Sequence, residues 1–307
     1  MTVETKIAAP AKSSGLAYLL LTCTMLCWAG NAVVGRFAVG EISPMLLVTL
    51  RWVGTMPLLA LFAKGAVRRD WAVLRAHWRY LAAMGALGYT GFNALFYVAA
   101  HSTTAINLGI IQGAMPMFVL LGAFAAYRTK VSAWQIAGAV VTMTGVALVA
   151  TGGSLQRLAG LAIGQGDLLM VLACVLYAGY TVALRRRPAI STFAMFAVLA
   201  AAALVTSLPL LAVEIAAGAL QAPTAKGWLV VAFVAVFPSI VAQVCFMRGV
   251  ELIGPGRAGV FANLVPVFVP VLAVALLGES FEAFHAAALC LVLGGIWLSE
   301  RGKPGAR

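Results

Sequence analysis

The stretch Trp28-Ala29-Gly30-Asn31-Ala32-Val33-Val34-Gly35-Arg36 lies in the first long apolar run of the 307-residue chain. The same order of residue types returns 149 residues later, in Tyr177-Ala178-Gly179-Tyr180-Thr181-Val182-Ala183-Leu184-Arg185. Each stretch has an aromatic residue, an Ala-Gly pair, a second polar or aromatic residue and a closing arginine. This similarity indicates an internal repeat, which is the first feature to establish in any fold prediction.

The composition is that of a membrane protein. Hydrophobic residues make up 63% of the chain and charged residues 10%, whereas soluble domains are about half apolar and about a quarter charged. A helix needs about 20 apolar residues to cross about 30 Å of hydrocarbon. The apolar runs of this chain lack the period-two alternation that is typical of barrel strands. We therefore predict an all-α integral membrane protein with ten transmembrane helices, at residues 15–37, 44–63, 80–100, 103–127, 133–151, 167–184, 192–217, 228–247, 255–278 and 281–299.

The repeat extends over both halves of the chain. At an offset of 150 residues, identical pairs occur without a gap from the third span to the fifth, among them Phe96 and Phe246, Gly109 and Gly259, Pro116 and Pro266, and Gly145 and Gly295. Five spans per half is an odd number, so the second half enters the membrane inverted, as in many secondary transporters. The predicted organisation is a tail (1–14), a five-helix repeat (15–151), a periplasmic linker (152–166), a second five-helix repeat (167–299) and a tail (300–307).

The net charge of +12 reflects membrane topology and not nucleic-acid binding. Of the 21 lysines and arginines, 17 fall on the side of the amino terminus, and Arg36, Arg157 and Lys226 fall on the other side. Basic residues accumulate in cytoplasmic loops, so both termini are predicted to be cytoplasmic. The five cysteines lie in apolar runs, which argues against a disulfide framework.

Several motifs resemble one known group of transporters. They are Trp28, Gly30, Asn31 and Arg36 in span one, Arg51 in span two, the prolines of spans four and nine, and Leu277-Gly278-Glu279. On these residues the chain resembles the drug/metabolite transporter superfamily, EamA type, and within it the bacterial YddG-type amino-acid exporters. The resemblance implies a ten-span transporter of the bacterial inner membrane that exports amino acids such as Phe, Trp, Tyr, Met and Thr. One departure is Arg128-Thr129-Lys130, where the family often has a Gly-Glu pair.

Polar residues in spans three and eight suggest a cavity. Tyr89, Asn93 and Tyr97 are spaced by four residues and share a helix face. Ser239 and Gln243 occupy the matched positions of span eight. Because polar side chains in hydrocarbon usually face a bundle interior or water, we predict two walls of one cavity. The alternative is hydrogen bonding that only holds the helices together.

Four further pairs of residues are candidates for the cavity or for hinges. Aromatic rings with polar edges suit a small zwitterion, although they also suit helix packing. Mid-helix prolines free a carbonyl and permit a hinge, or else make a static kink. The candidates are Trp28 and Asn31, Tyr177 and Tyr180, and Gln112 and Asn263 for the cavity, with Pro116 and Pro266 for the hinges.

Arg51 lies about mid-span in helix two, where a charge costs at least ~2.5 kcal/mol. It is either a structural anchor or a contact for substrate or gating. The acids Glu41, Asp167, Glu214, Glu279 and Glu282 fall outside the spans or at their ends, so no proton relay is predicted. His101 is a candidate gate at the outer mouth.

The sequence thus predicts a secondary transporter that exports amino acids or similar metabolites by facilitated or weakly coupled alternating access. The alternatives are a transporter of another class, such as an organic anion or drug-like solute, and a non-transport membrane protein or lipid enzyme. No Gly-x-x-x-x-Gly-Lys-[Ser/Thr] loop and no clustered His, Asp and Glu occur, so no enzyme activity, cofactor or metal is expected. The expected partners are a small-molecule substrate and the lipid bilayer, with no nucleic acid, and a monomer is plausible.

Overall fold

The structure is a computed structural model that describes residues 11–129, 131–154, 156 and 164–301, without the side chains of 11–14, 255 and 256. Lys130, Arg157, the ends of both tails and most of the linker lie outside this part. Throughout the described residues the chain is helical, without strands. The spans are α1 (Ala11–Phe37), α2 (Pro44–Ala76), α3 (Trp78–Ala99), α4 (Ala105–Gly113 and Met115–Tyr127), α5 (Ala133–Ala150), α6 (Gln165–Ala183), α7 (Thr192–Ala216), α8 (Ala225–Ile253), α9 (Pro255–Val260 and Val265–Leu277) and α10 (Ala283–Arg301).

The predicted fold class is confirmed. In the described part, nine helices are long and apolar enough to cross a membrane, and α4 makes a tenth span that is bent by 40°. The largest difference in a boundary is in α2, whose 33 residues run to Ala76 instead of ending at Ala63. Residues 64–76 are mostly good helix formers, but they are too polar to count as a membrane run.

The helices pack in pairs related by the repeat. α5 packs on α10, α2 on α7 and α4 on α9, so each of these helices contacts its own counterpart. The contact of α1 with α8 is matched by that of α6 with α3. This pairing is what two inverted five-helix repeats require. Which end faces the cytoplasm stays a prediction, and the end holding residues 38–43, 100–104 and 217–224 is called the predicted periplasmic end below.

Glycines bring the paired helices α5 and α10 into backbone contact. A Cβ atom on Gly295 would lie 2.3 Å from Thr142 Oγ1, and one on Gly138 would lie 2.4 Å from the Gly295 carbonyl oxygen. Small residues at a membrane helix interface allow such close approach. This pair therefore forms a tight seam between the two repeats.

Each repeat interrupts its helices at matched places. A π-helical segment occupies Ala86–Gly91 in α3 and Phe237–Val241 in α8. α4 bends just before Pro116, and a 3₁₀ turn, Phe261–Leu264, precedes Pro266 in α9. π-helical segments are frequent at functional sites. The breaks at both prolines are present, and their movement as hinges stays a prediction.

Candidate functional site

The side chain of Arg51 joins four helices. It is 7% exposed, and its Nε atom donates to Ser239 Oγ of α8 at 2.9 Å. Its Nη1 atom donates to Asn93 Oδ1 and to the Tyr97 hydroxyl of α3 at 2.7 and 3.0 Å, and to Asn31 Oδ1 of α1 at 3.3 Å. Arg51 and Asn31 thus form one cluster with Asn93, Tyr97 and Ser239, which the sequence assigned to two walls of one cavity. Arg51 lies seven residues after α2 begins, in the half of this long helix nearer the predicted periplasmic end, and its mid-span position stays a prediction.

The two π segments position the acceptors for Arg51. Asn93 follows the first segment, and its Nδ2 donates to the Tyr89 carbonyl at 2.7 Å, which leaves Oδ1 facing the guanidinium. Ser239 lies in the second segment, and its hydroxyl donates to the carbonyl of Val234, five residues earlier, at 2.7 Å. The Ser239 oxygen is therefore free to accept from Arg51. Matched irregularities in the two repeats build opposite sides of the same cluster.

The positive charge of Arg51 has no counter-ion among the described residues. Its four acceptors are neutral side chains, and none of the three ion pairs found in this part of the chain includes it. Nη2 donates to no described acceptor, yet it is not an enclosed atom. The guanidinium thus keeps two N–H groups without a described acceptor and an unneutralised charge.

An aromatic cluster lies beside this charge. The Arg51 guanidinium is 5.3 Å from the Trp52 ring centre, and Trp52 stacks on Tyr89 with 5.3 Å between centroids. Tyr89 contacts Tyr180 of α6 edge-on at 5.5 Å, and Tyr180 contacts Tyr177 at 5.3 Å. Trp52 Nε1 is the one enclosed side-chain nitrogen or oxygen in the described part without a hydrogen-bond partner. Trp52 could not be identified from the sequence, because an indole in an apolar run is indistinguishable from an ordinary core residue.

The remaining cavity candidates lie apart from Arg51. Trp28 packs on Phe246 of α8 at 5.6 Å. Gln112, Gln243 and Asn263 are half-buried, and no hydrogen bond joins their side chains to a described residue. Their role as cavity lining stays a prediction.

His101 lies in the connection between α3 and α4 and is exposed. Its Nδ1 is 3.0 Å from the carbonyl oxygen of Tyr97. Tyr97 in turn reaches Arg51 through its hydroxyl group. His101 is thus one residue removed from the Arg51 cluster, and its proposed role as a gate stays a prediction.

Two acids that the sequence put outside the spans or at their ends are buried, and that assignment missed their contacts. Asp167 is 5% exposed and Glu214 is 9% exposed. Glu214 of α7 accepts from Ser43 Oγ and from the backbone N–H of Met45 and Leu46 at the start of α2, at 2.7 to 3.1 Å. Carboxylates bind well to such helix N-termini. The position of both acids within one turn of a helix end is visible in the sequence, but their burial is not.

Comparison with known proteins agrees with this architecture. The model of the EamA-like transporter family matches residues 15–151 and again residues 164–301. The chain is 27% identical over 291 residues to the "Uncharacterized transporter YyaM" of Bacillus subtilis, covering 91% of this chain and 92% of that one. It is 25% identical to an "Uncharacterized transporter" of Archaeoglobus fulgidus, covering 92% and 96%. A solved structure titled "Crystal structure of protein" shares the fold, with a TM-score of 0.64 at 21% identity over 92% of this chain and 96% of that one.

Proposed function

Because the chain belongs to the EamA-like transporter family, we propose that it is an inner-membrane secondary transporter that exports neutral amino acids, aromatic ones included. Similar small metabolites that carry a carboxylate fit the same site. The YddG-type specificity is part of this proposal. The relatives' names support transport and specify no substrate.

The observation that carries the proposal is the unneutralised charge of Arg51. A buried cation is costly unless it is paired, and its four acceptors are all neutral. A substrate carboxylate at Nη2 would supply the missing negative charge through charge-assisted hydrogen bonds. We therefore assign Arg51 to substrate contact in preference to a structural anchor.

The aromatic cluster supports an apolar substrate side chain. Trp52 lies against the guanidinium, Tyr89 stacks on Trp52, and Tyr180 contacts Tyr89 edge-on. Rings of this kind pack well on aromatic and thioether side chains. A carboxylate on Arg51 with a ring or thioether against this cluster fits Phe, Trp, Tyr and Met.

Alternating access would use the matched breaks of the two repeats. The π segments of α3 and α8 hold the acceptors Asn93 and Ser239, and the breaks at Pro116 and Pro266 lie in α4 and α9. Rocking of one repeat against the other around a fixed site is the usual mechanism of inverted-repeat transporters. The same elements would therefore bind the substrate and bend.

The second candidate is an organic-anion transporter. The buried charge of Arg51 favours any carboxylate, with or without an amine. The two candidates differ in whether the ammonium group of the substrate is recognised. Competition between substrate analogues separates them.

The test is exchange of radiolabelled amino acids by the purified protein in liposomes at equal pH on both sides. Phenylalanine, tryptophan or methionine should exchange saturably, and phenethylamine, which lacks the carboxylate, should not compete. Competition by 3-phenylpropionate as strong as that by phenylalanine would favour the organic-anion class. Absence of exchange for every amino acid would overturn the proposed substrate.

The proposed topology is tested separately by cysteine labelling in whole cells. Lys226→Cys should react with a membrane-impermeant thiol reagent added outside, and Arg186→Cys should not. The two positions lie at opposite ends of the bundle, at the start of α8 and just after α6. Labelling of Arg186→Cys alone would show that the topology is the inverse of the proposed one, with the periplasmic and cytoplasmic ends exchanged.

A further inference from the structure

A buried histidine and a buried carboxylate meet across the two repeats at the predicted periplasmic end. Asp167 of α6 accepts from Thr103 Oγ1 and from Asn107 Nδ2 of α4, the latter at 3.2 Å. On its other side Asn107 Oδ1 lies 3.2 Å from His285 Nε2 of α10. His285 is 4% exposed. Because α4 belongs to the first repeat and α6 and α10 to the second, Asn107 holds the repeats together.

The hydrogen-bond partners assign the proton of His285. The backbone N–H of Glu282 points at Nδ1 at 2.9 Å, so Nδ1 must be an unprotonated acceptor. Asn107 Nδ2 donates to Asp167, so Oδ1 faces His285 and Nε2 must carry the proton. His285 is therefore neutral in this closed arrangement. Protonation of Nδ1 would set two N–H groups against each other and break the bond to Glu282.

The matched position in the first repeat makes the same bond without a titratable group. Gln135, 150 residues before His285, accepts from the backbone N–H of Ser132 through Oε1 at 2.9 Å. Ser132 is the counterpart of Glu282. A glutamine thus satisfies the helix start as well as a histidine does. The second repeat differs by using a residue whose charge changes between about pH 5 and about pH 8.

Burial disfavours a positive charge on His285 in this arrangement, whereas the carboxylates of Glu282 and Glu279 favour it. Opening of this end to water would remove the first effect and leave the second. Glu279 also accepts from the backbone N–H of Ala105 and Ile106 at 2.8 and 3.0 Å, which caps the start of α4. An imidazolium would compete for Glu279 and weaken this cap.

The other groups packed around His285 add no cation that would oppose its protonation. α6 contributes Asp167, α4 contributes the neutral Asn107, and α5 has no titratable residue between Ala133 and Ala150. The rings of Phe284 and Phe281 cover the imidazole at 4.0 and 5.6 Å between centroids. A proton on His285 therefore meets carboxylates and no opposing cation among these groups.

We propose that His285 is a pH sensor that, when protonated, releases the start of α4 and opens the predicted periplasmic end of the transporter. The closed end is held by neutral His285, by Asp167 bound to Asn107, and by Glu279 bound to the start of α4. Acid on this side protonates His285 and so removes the first of these three contributions. The inference rests on the alternating access of the proposed function, but its test needs no substrate.

The experiment measures the distance between spin labels at Ser102→Cys and Ser280→Cys by pulsed electron resonance. Both serines are exposed and lie in different repeats at this end. The protein is otherwise freed of its five cysteines and is placed in nanodiscs without substrate. Between about pH 8 and about pH 5 the ratio of long to short distances should rise by up to about tenfold per pH unit, the limit for one proton.

The matched variants separate His285 from the other histidines. His285→Gln, which copies Gln135, should keep the short distance at every pH, whereas His77→Gln at the opposite end should retain the full response. Glu279→Gln should move the midpoint to lower pH, because a charge that attracts the imidazolium is gone. If His285 had only a structural role, Glu279→Gln would not move the midpoint of the pH response.

Three outcomes would overturn the proposal. They are a wild-type distance that does not depend on pH, an unchanged response in folded His285→Gln, and a response lost in His101→Gln but kept in His285→Gln. Missing amino-acid exchange would leave this test intact. A flat pH response would leave the proposed substrate intact.

Discussion

The two repeats match at Pro116 and Pro266, at several glycines and in their π segments. Apart from the closing arginines Arg36 and Arg185, they differ at their charged positions. Arg51 of the first repeat corresponds to Ala200 of the second, and Asp167 of the second corresponds to Tyr18 of the first. Glu279 corresponds to Thr129. The matched residues build the packing, whereas the unmatched charges form the Arg51 cluster and the carboxylate contacts of the predicted periplasmic end.

The two ends of the bundle show the consequence. At the predicted periplasmic end, Asp167 holds Asn107 in a buried contact. The equivalent pair at the other end is Tyr18 and Arg257, where Arg257 Nη2 donates to the exposed Tyr18 hydroxyl at 2.8 Å. The same helices therefore meet through a buried carboxylate at one end and an exposed arginine at the other. The two ends of the repeat fold are therefore closed by contacts that differ in charge and burial.

The largest expected effect comes from removing the charge that the second repeat lacks. Arg51→Met should lower the affinity for substrate by about 10²-fold or more, because losing one partner of a buried charge pair costs about 3 kcal/mol or more. Arg51→Lys should keep part of the activity, because it retains the charge and loses the planar fork. Amino-acid exchange in liposomes measures both.

Arg248→Gln is the control for this substitution. Its guanidinium is exposed and pairs with Glu251 three residues on at 2.8 Å, so its removal should leave exchange unchanged. Equal exchange by folded Arg51→Met and by the wild type would show that the charge difference between the repeats does not serve binding.

Much of the fold could be predicted from the sequence, because hydropathy and an inverted repeat leave few alternatives. The polar end of α2 was missed, because residues 64–76 form a helix without being apolar. The sequence identified the individual residues of the site, but it did not predict their contact with Arg51. A π segment adds a residue to a turn and rotates the rest of the helix by about 100°, so a regular helical period does not predict that Asn93 and Ser239 both reach Arg51.

The buried groups at the helix starts were harder to predict. Asp167 and His285 each lie in the first turn of a helix, where hydropathy cannot distinguish a buried residue from one at the membrane surface. Their burial depends on packing between the repeats, which a single sequence does not report.

A smaller effect is expected from the matched amides of α3 and α8. Asn93 accepts from Arg51 at 2.7 Å, whereas Gln243 is half-buried and bonds to no described residue. Asn93→Ala should therefore lower exchange about tenfold, since it leaves a buried donor of the guanidinium unpaired. Gln243→Ala should lower it about twofold.

The measurement is exchange in liposomes, with the amount of folded protein checked by size-exclusion chromatography. If Gln243→Ala lowers exchange as much as Asn93→Ala does, the substrate contacts both repeats equally and the importance of the Arg51 cluster is overstated. Normal exchange in both variants would remove the two amides from the transport path.

The smallest effect concerns the reciprocal contacts of α2 and α7. Glu214 of α7 binds the start of α2 through three donors, while Asp70 of α2 accepts from the backbone N–H of Ser191 at the start of α7 at 2.8 Å. Glu214→Gln should lower the free energy of unfolding by about 1 kcal/mol, as for a lost helix cap. Asp70→Asn should lower the free energy of unfolding by less, because the Asp70 side chain is more accessible and accepts from fewer donors.

Thermal unfolding in detergent compares the two variants, with Glu251→Gln as a control from an exposed ion pair. Neither cap variant should change the pH response of the labels at Ser102 and Ser280, since neither carboxylate contacts His285 or Asn107. Equal losses of stability would mean that burial does not distinguish the two ends of this helix pair. A larger loss for Asp70→Asn would reverse the comparison and make the predicted cytoplasmic end the more firmly held of the two.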